Sequence, residues 1–140
     1  MGYRALRDFR QAAAPLGARV RYWGHQQDVL LAYRSINFLL TGMPERESFG
    51  LNVIEAQTCG APVLAPTASP FTETVVDGVS GFLYRDPRQD DGGDFGRVLD
   101  LARMPGARPG LRPQSRHLAQ FEFPAFRDTV ELLMKTVCEG

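Results

Sequence analysis

Long hydrophobic runs are missing from this chain of 140 residues. No stretch approaches the about 20 apolar residues of a bilayer-crossing helix, and Met1-Gly-Tyr-Arg lacks the apolar core of a secretory signal. No transmembrane segment is therefore expected, and a cytoplasmic location is, with peripheral membrane association as the alternative. An excess of one charge is missing too, since Lys plus Arg and Asp plus Glu both number 16. Without a long basic run there is no footprint for nucleic acid or an anionic membrane. Cysteine is scarce: Cys59 and Cys138 carry no metal-ligand spacing and are too few for a disulfide framework. Reduced thiols are expected, with Cys59 packing as a small buried group. No Gly-x-Gly-x-x-Gly follows a strand-like segment, which argues against a dinucleotide reductase. No internal repeat is visible.

What is present is enough chain for one domain with a modest core. Leu6, Phe9, Ala13 and Leu16 share a helical stripe, predicting a surface helix over residues 3–16 that stops at Gly17. Arg19-Val-Arg-Tyr-Trp23 alternates as a strand, with Trp23 in the core, and Gly24-His25 breaks it before a short helix over 27–34. A strand over 36–40, a helix near 49–59, a strand over 62–65, a short helix over 71–76 and a strand over 81–84 follow. Such alternation predicts an α/β fold whose parallel strands are joined by helical crossovers and covered on both faces. Asp77-Gly78 and Ser80-Gly81 read as turn residues. Residues 86–93 and 104–113 read as surface connections. Phe126, Val130, Leu133 and Val137 recur at helical spacing, predicting a C-terminal amphipathic helix whose stripe packs into the core.

Two carboxylates, Glu47 and Glu55, are separated by seven residues. The first lies beside the helix near 49–59 and the second inside it; a helix beginning near Phe49 puts Glu55 about 9 Å along the axis. They cannot share one proton or one metal ion. They can hold two ends of an elongated ligand with an anionic middle, because backbone amides at a helix start attract phosphate. Ser48 is suited to cap that helix, and Gly50 in its first turn lets a ligand approach the backbone closely. Glu47 would repel the anion itself, so its carboxylate is better used on neutral hydroxyls beside it. A nucleotide sugar satisfies the whole arrangement: sugar hydroxyls at Glu47, diphosphate at the amides near Phe49, Gly50 and Leu51, and ribose hydroxyls at Glu55. The blander readings are a solvated loop carboxylate for Glu47 and a buried, partnered acid for Glu55. His25 either lines a base pocket or sits exposed on its loop, and His117 has no functional case. Glu73 either orients a loop near the sugar or serves as a cap or ion-pair partner.

The run Pro44-Glu-Arg-Glu-Ser-Phe-Gly-Leu-Asn-Val-Ile-Glu-Ala-Gln-Thr-Cys-Gly-Ala-Pro-Val63 resembles the nucleotide-sugar site of retaining glycosyltransferases with the GT-B fold, especially glycosyltransferase family 4. Val20-Arg-Tyr-Trp-Gly24 and Glu73-Thr-Val-Val-Asp-Gly-Val-Ser-Gly-Phe-Leu83 resemble that family's flanking segments, in its order. The resemblance covers residues 3–85 and implies a Rossmann-like C-terminal domain with a mainly parallel sheet, spanning residues 1–140 with a helical tail over 114–140. It implies that Glu47 is the catalytic residue and contacts the donor sugar, that Glu55 holds the ribose, that Ser48 belongs to the donor-binding set, and that the main-chain amides of Phe49, Gly50 and Leu51 sit at the diphosphate. It places Gly24 and His25 near the base. The implied reaction moves a glycosyl group, of hexosyl type, from a nucleotide sugar to an acceptor hydroxyl with retention. Amides and basic side chains stabilise the leaving group, so no cofactor or metal is expected.

Against that family, the chain has no counterpart of the first two strands of the domain, of the Arg and Lys that clamp the diphosphate, or of the N-terminal acceptor domain. In the order 3-2-1-4-5-6 the absent strands would join 19–23 to 36–40, so these segments are expected to lie apart unless the strands pair anew or another chain, as in a homo-oligomer, completes the sheet. Weak or absent turnover by the isolated chain is the corresponding expectation. At Thr67-Ala-Ser-Pro70 the family commonly has a glycine pair, and proline removes an amide donor there. Two other functions fit the same residues: a non-catalytic nucleotide-sugar-binding or interaction module, and a nucleotide-sugar epimerase or phosphorylase on the same fold.

Overall fold

The computed structural model describes residues 2–42, 49–107, 111 and 115–138. At its centre is β2, Val63–Pro66, all four residues of which are buried. It pairs in parallel with β1, Leu39–Leu40, on one side and with β3, Gly81–Tyr84, on the other. Among the described residues this gives a three-stranded sheet in the order β1-β2-β3. A central parallel strand is covered on both faces, which is why Ala61-Pro-Val-Leu-Ala65 is uninterruptedly apolar rather than alternating.

Period-two alternation along β2 divides the core into two layers. Val63 and Ala65 face one way, into a cluster with Tyr33, Val53, Ala56, Ala61, Phe71 and Val75. These come largely from α2, Val29–Ser35, α3, Leu51–Thr58, and α4, Phe71–Thr74. Leu64 faces the other way and meets Tyr84 and Val98, with Phe82, Phe95, Leu99 and Ala102 around them. This second layer is closed by α5, Gly93–Arg103. Residues 94–103 drew no helix from the sequence, although Phe95, Val98, Leu99 and Ala102 are spaced i, i+3, i+4, i+7. Asp94 ties that helix to the sheet by accepting from the Arg85 amide at 2.8 Å and pairing with Arg97 at 2.7 Å.

Several close approaches dictate residue type. At Gly81 an added Cβ would collide with the Val63 carbonyl of the neighbouring strand. Gln57 is buried in α3 and donates to the carbonyls of Val53 and Thr74, at 3.2 and 2.8 Å. His117 of α6, Ser115–Ala119, lies 3.2 Å from the same Thr74 carbonyl, so its role is to tether the C-terminal segment. Asp77 accepts from the Leu83 amide and Gly78 has φ 72°, as the predicted turn requires.

The structure corrects four expectations. Residues 19–23 form no strand: α1, Gly2–Ala13, runs into a 3-10 segment, Ala14–Arg19, after which the chain is extended at Val20 but joins no ladder among the described residues. Pro15 has no N–H to continue the helical ladder, so α1 stops short of 16. Without a neighbouring strand, 20–23 packs locally instead, with Tyr22 edge-on to Phe9 and beneath the Arg10 guanidinium. Trp23 is half-exposed rather than core. The helical tail holds two helices, α6 and α7, Phe123–Cys138. Phe126, Val130, Leu133 and Val137 do line one face of α7, but that face is exposed. An amphipathic period identifies an apolar face without identifying what covers it.

Candidate functional site

The carboxyl ends of parallel strands open toward ligands in open α/β sheets. Beyond β1 the chain is held at Thr41, whose carbonyl accepts from the Tyr84 hydroxyl at 2.6 Å. Burial raises the Tyr84 pKa, so the phenol stays a donor. Glu47 and Ser48 lie outside the described residues, so the structure does not place their side chains. The chain is described again at Phe49, which enters α3.

The helix starts later than its sequence predicts. Leu51 is its first residue and Gly50 is the N-cap, in the left-handed region at φ 73° and ψ 45°, with no side-chain cap. Only glycine adopts this conformation freely. A Cβ there would also lie 3.2 Å from the buried ring of Phe71. The helical ladder begins with Val53 N–H bonding to Gly50 O at 2.9 Å, so the Leu51 and Asn52 amides precede it at the positive end of the helix dipole. Leu51 is exposed, as is half of Phe49, whose ring meets Phe121 edge-on at 5.9 Å.

Glu55 lies one turn further on, about 7.5 Å along the axis from Gly50. It is exposed, not the buried acid of the bland reading. One oxygen, Oε2, accepts from the Tyr33 hydroxyl at 3.2 Å. Burial, then the charge and hydrogen bond of Glu55, hold the Tyr33 pKa above the ordinary phenol value. Sequence reasoning missed Tyr33; nothing local ties it to a carboxylate 22 positions away.

Gly24 and His25 are not joined to Glu55 by any hydrogen bond or ion pair among the described residues. Gly24 has φ 67° and His25 is exposed. An open hollow of about 830 Å³ lies nearby, lined in part by Trp23, Gln26 and Asp28 and by Leu31 and Ser35 of α2. At about 100° per residue, Leu31 and Ser35 sit roughly opposite Tyr33 on α2. The hollow and Glu55 are thus on different faces of that helix. Glu73 is exposed, with Oε1 at the 3.5 Å limit of a bond from Ser69. Among the described residues, no group of three or more His, Cys, Asp or Glu side chains could hold a metal ion, and no helix is long and apolar enough to cross a membrane.

An open parallel sheet with a glycine-capped helix and an exposed acid beyond its first strand defines a Rossmann-like α/β domain. Residues 7–93 match the family described as glycosyl transferases group 1, and the chain belongs to that family. The D-inositol 3-phosphate glycosyltransferase of Mycolicibacterium smegmatis is 36% identical over 115 residues, covering 78% of this chain and 24% of that protein. The protein of the same name from Nocardiopsis dassonvillei is 53% identical over 45 residues, 32% of this chain and 10% of that protein. The structure of Anabaena HepE in complex with UDP and glucose superposes with a TM-score of 0.77 at 20% identity, covering 94% of this chain and 36% of that chain. The complex of the same protein with UDP-glucose gives 0.75 at 21%, covering 97% and 38%. The fold is that of GT-B glycosyltransferases. The chain spans well under half the length of these relatives.

Proposed function

We propose that this chain is the donor-binding part of a retaining glycosyltransferase that moves a sugar from a nucleotide sugar to an acceptor hydroxyl. The observation that carries the proposal is the pairing, on α3, of a glycine-capped start with an exposed carboxylate one turn later. The diphosphate docks at the amides of Phe49, Gly50 and Leu51, where the helix dipole favours an anion. Glu55 accepts from the ribose hydroxyls. Glu47, which precedes this helix in the sequence, contacts the donor sugar, and Ser48 belongs to the donor-binding set. Gly24 and His25 are assigned to the base by the family resemblance alone, since the hollow beside them opens on the face of α2 away from Glu55. Oriented amides stabilise the charge that develops on the leaving diphosphate, a role that asks for no cofactor. The family match and the solved relative's complexes with UDP and UDP-glucose support this reading.

An acceptor-binding half, from a longer polypeptide or a second chain, completes the enzyme, and this portion alone turns over weakly or not at all. Calorimetric titration with UDP-, GDP- and ADP-sugars tests the binding claim. One of the three should bind at micromolar to millimolar affinity, and no binding by any of them would refute it. Robust transfer by the isolated chain would refute the claim of weak turnover.

A further inference from the structure

Tyr33 joins the buried core to the exposed carboxylate of the candidate site. Its ring is anchored in the first core layer with Val53, Ala56 and Phe71, while its hydroxyl reaches Glu55 Oε2 at 3.2 Å. Glu55 itself projects from an exposed position on α3, where a three-torsion side chain would otherwise sample many rotamers. A bond of this length is longer than the about 2.7 Å of a strong O–H···O contact, so it steers the carboxylate more than it binds it. A carboxylate offers about four lone-pair positions on its two oxygens, so one phenol donor leaves capacity for two more donors. Two adjacent hydroxyls on one sugar ring supply that number.

We propose that Tyr33 is a positioning residue that sets the Glu55 carboxylate before ligand arrives and thereby makes the site select a ribose diol over a deoxyribose. The proposal rests on the reading of Glu55 as the ribose acceptor. Rigid placement matters because a carboxylate already held in one orientation loses less freedom when the diol binds. The phenol suits the task because its ring is fixed by packing and its proton is retained through the neutral pH range. A phenylalanine at 33 would keep the packing and remove only the donor.

The test uses the full chain with UDP, ADP and GDP, each titrated against its 2′-deoxy counterpart, in wild type, Tyr33→Phe and Glu55→Ala. Wild type should prefer at least one ribonucleotide. Tyr33→Phe should lower that preference about three- to tenfold, the effect of one hydrogen bond, with a smaller loss for the deoxynucleotide, whose 3′-hydroxyl still meets Glu55, and with the thermal transition still cooperative. A second readout needs no ligand: the Tyr33 phenol, followed by NMR, should titrate at lower pH in Glu55→Gln than in wild type. Tyr33→Phe retaining the full ribose preference would overturn the proposal. So would a Tyr33 titration indifferent to Glu55→Gln, even where Glu55→Ala weakens binding and the site reading stands. Wild type and Glu55→Ala binding ribonucleotides equally, or not at all, would overturn the site reading and the role given to Tyr33 with it, while a shifted titration would show the bond itself intact.

Discussion

Replacing Gly50 by alanine should cost about 2 kcal/mol and disturb ligand binding at the same time. The cost has two parts. The N-cap conformation, φ 73° and ψ 45°, is left-handed, which costs a residue with a Cβ about 1 kcal/mol. The new Cβ would also stand 3.2 Å from Phe71 Cε1 and 3.5 Å from Cδ1, against a ring only 1% exposed that has little room to retreat. Overpacking of that kind adds about 1 kcal/mol more. Gly60→Ala is the control, since Gly60 has φ 80° but nothing within 4 Å of the added atom. In a domain of this size 1 kcal/mol corresponds to about 3–5 °C. Thermal unfolding should therefore drop about 6–10 °C for Gly50→Ala and about half as much for Gly60→Ala. Because Gly50 opens α3, calorimetry with UDP should also show affinity falling about tenfold in the first variant and staying constant in the second. Equal melting of the two variants would refute the role given to Phe71, and unchanged affinity in Gly50→Ala would refute the role given to the helix start.

Other consequences follow from the same geometry. Gly81→Ala places a methyl group against the Val63 carbonyl between paired strands, so it should destabilise by about 3 kcal/mol or more and melt far below Gly60→Ala. Tyr84→Phe removes the 2.6 Å bond to Thr41 O and should cost about 1 kcal/mol, with amide hydrogen exchange accelerated at Thr41 and Gly42. The Asp94 pKa is lowered, first by the Arg97 side chain and then by the Arg85 amide. A lowered folded-state value means stability present above the ordinary carboxylate pKa of about 4 and lost as the pH falls through the lower folded value. The melting difference between wild type and Asp94→Asn should thus be complete at pH 7 and shrink on acidification below about pH 4. A difference constant down to pH 2 would contradict that pairing.

The elements written in local pattern were the legible ones. Pro62-Val-Leu-Ala65 announced a strand, and Asp77-Gly78 a turn, because both depend on composition within a few residues; that the strand is the central one comes from tertiary pairing. Glu55 on a helix, beyond a strand and after a glycine, was legible for the same reason. The strand at 19–23 was misread because alternation describes a strand's faces but not whether a partner exists to accept its hydrogen bonds. α5 was missed because the glycines at 92, 93 and 96 hid a regular apolar stripe. Ser48 looked like the cap, yet the N-cap is Gly50, in a left-handed conformation with Phe71 close to where a Cβ would go, neither of which local sequence shows. Tyr33 was invisible as a site residue, since its partner is chosen by how α2 and α3 pack.

On the proposed reading, α3 receives the diphosphate and ribose of a sugar nucleotide between its glycine cap and Glu55. Two-dimensional amide NMR of the chain titrated with UDP-glucose tests it directly. The account predicts that the largest shifts fall at Phe49, Gly50, Leu51 and Glu55, and that Glu55→Ala weakens the response. Shifts concentrated elsewhere, on the exposed face of α7 for instance, with residues 49–55 unmoved, would contradict it.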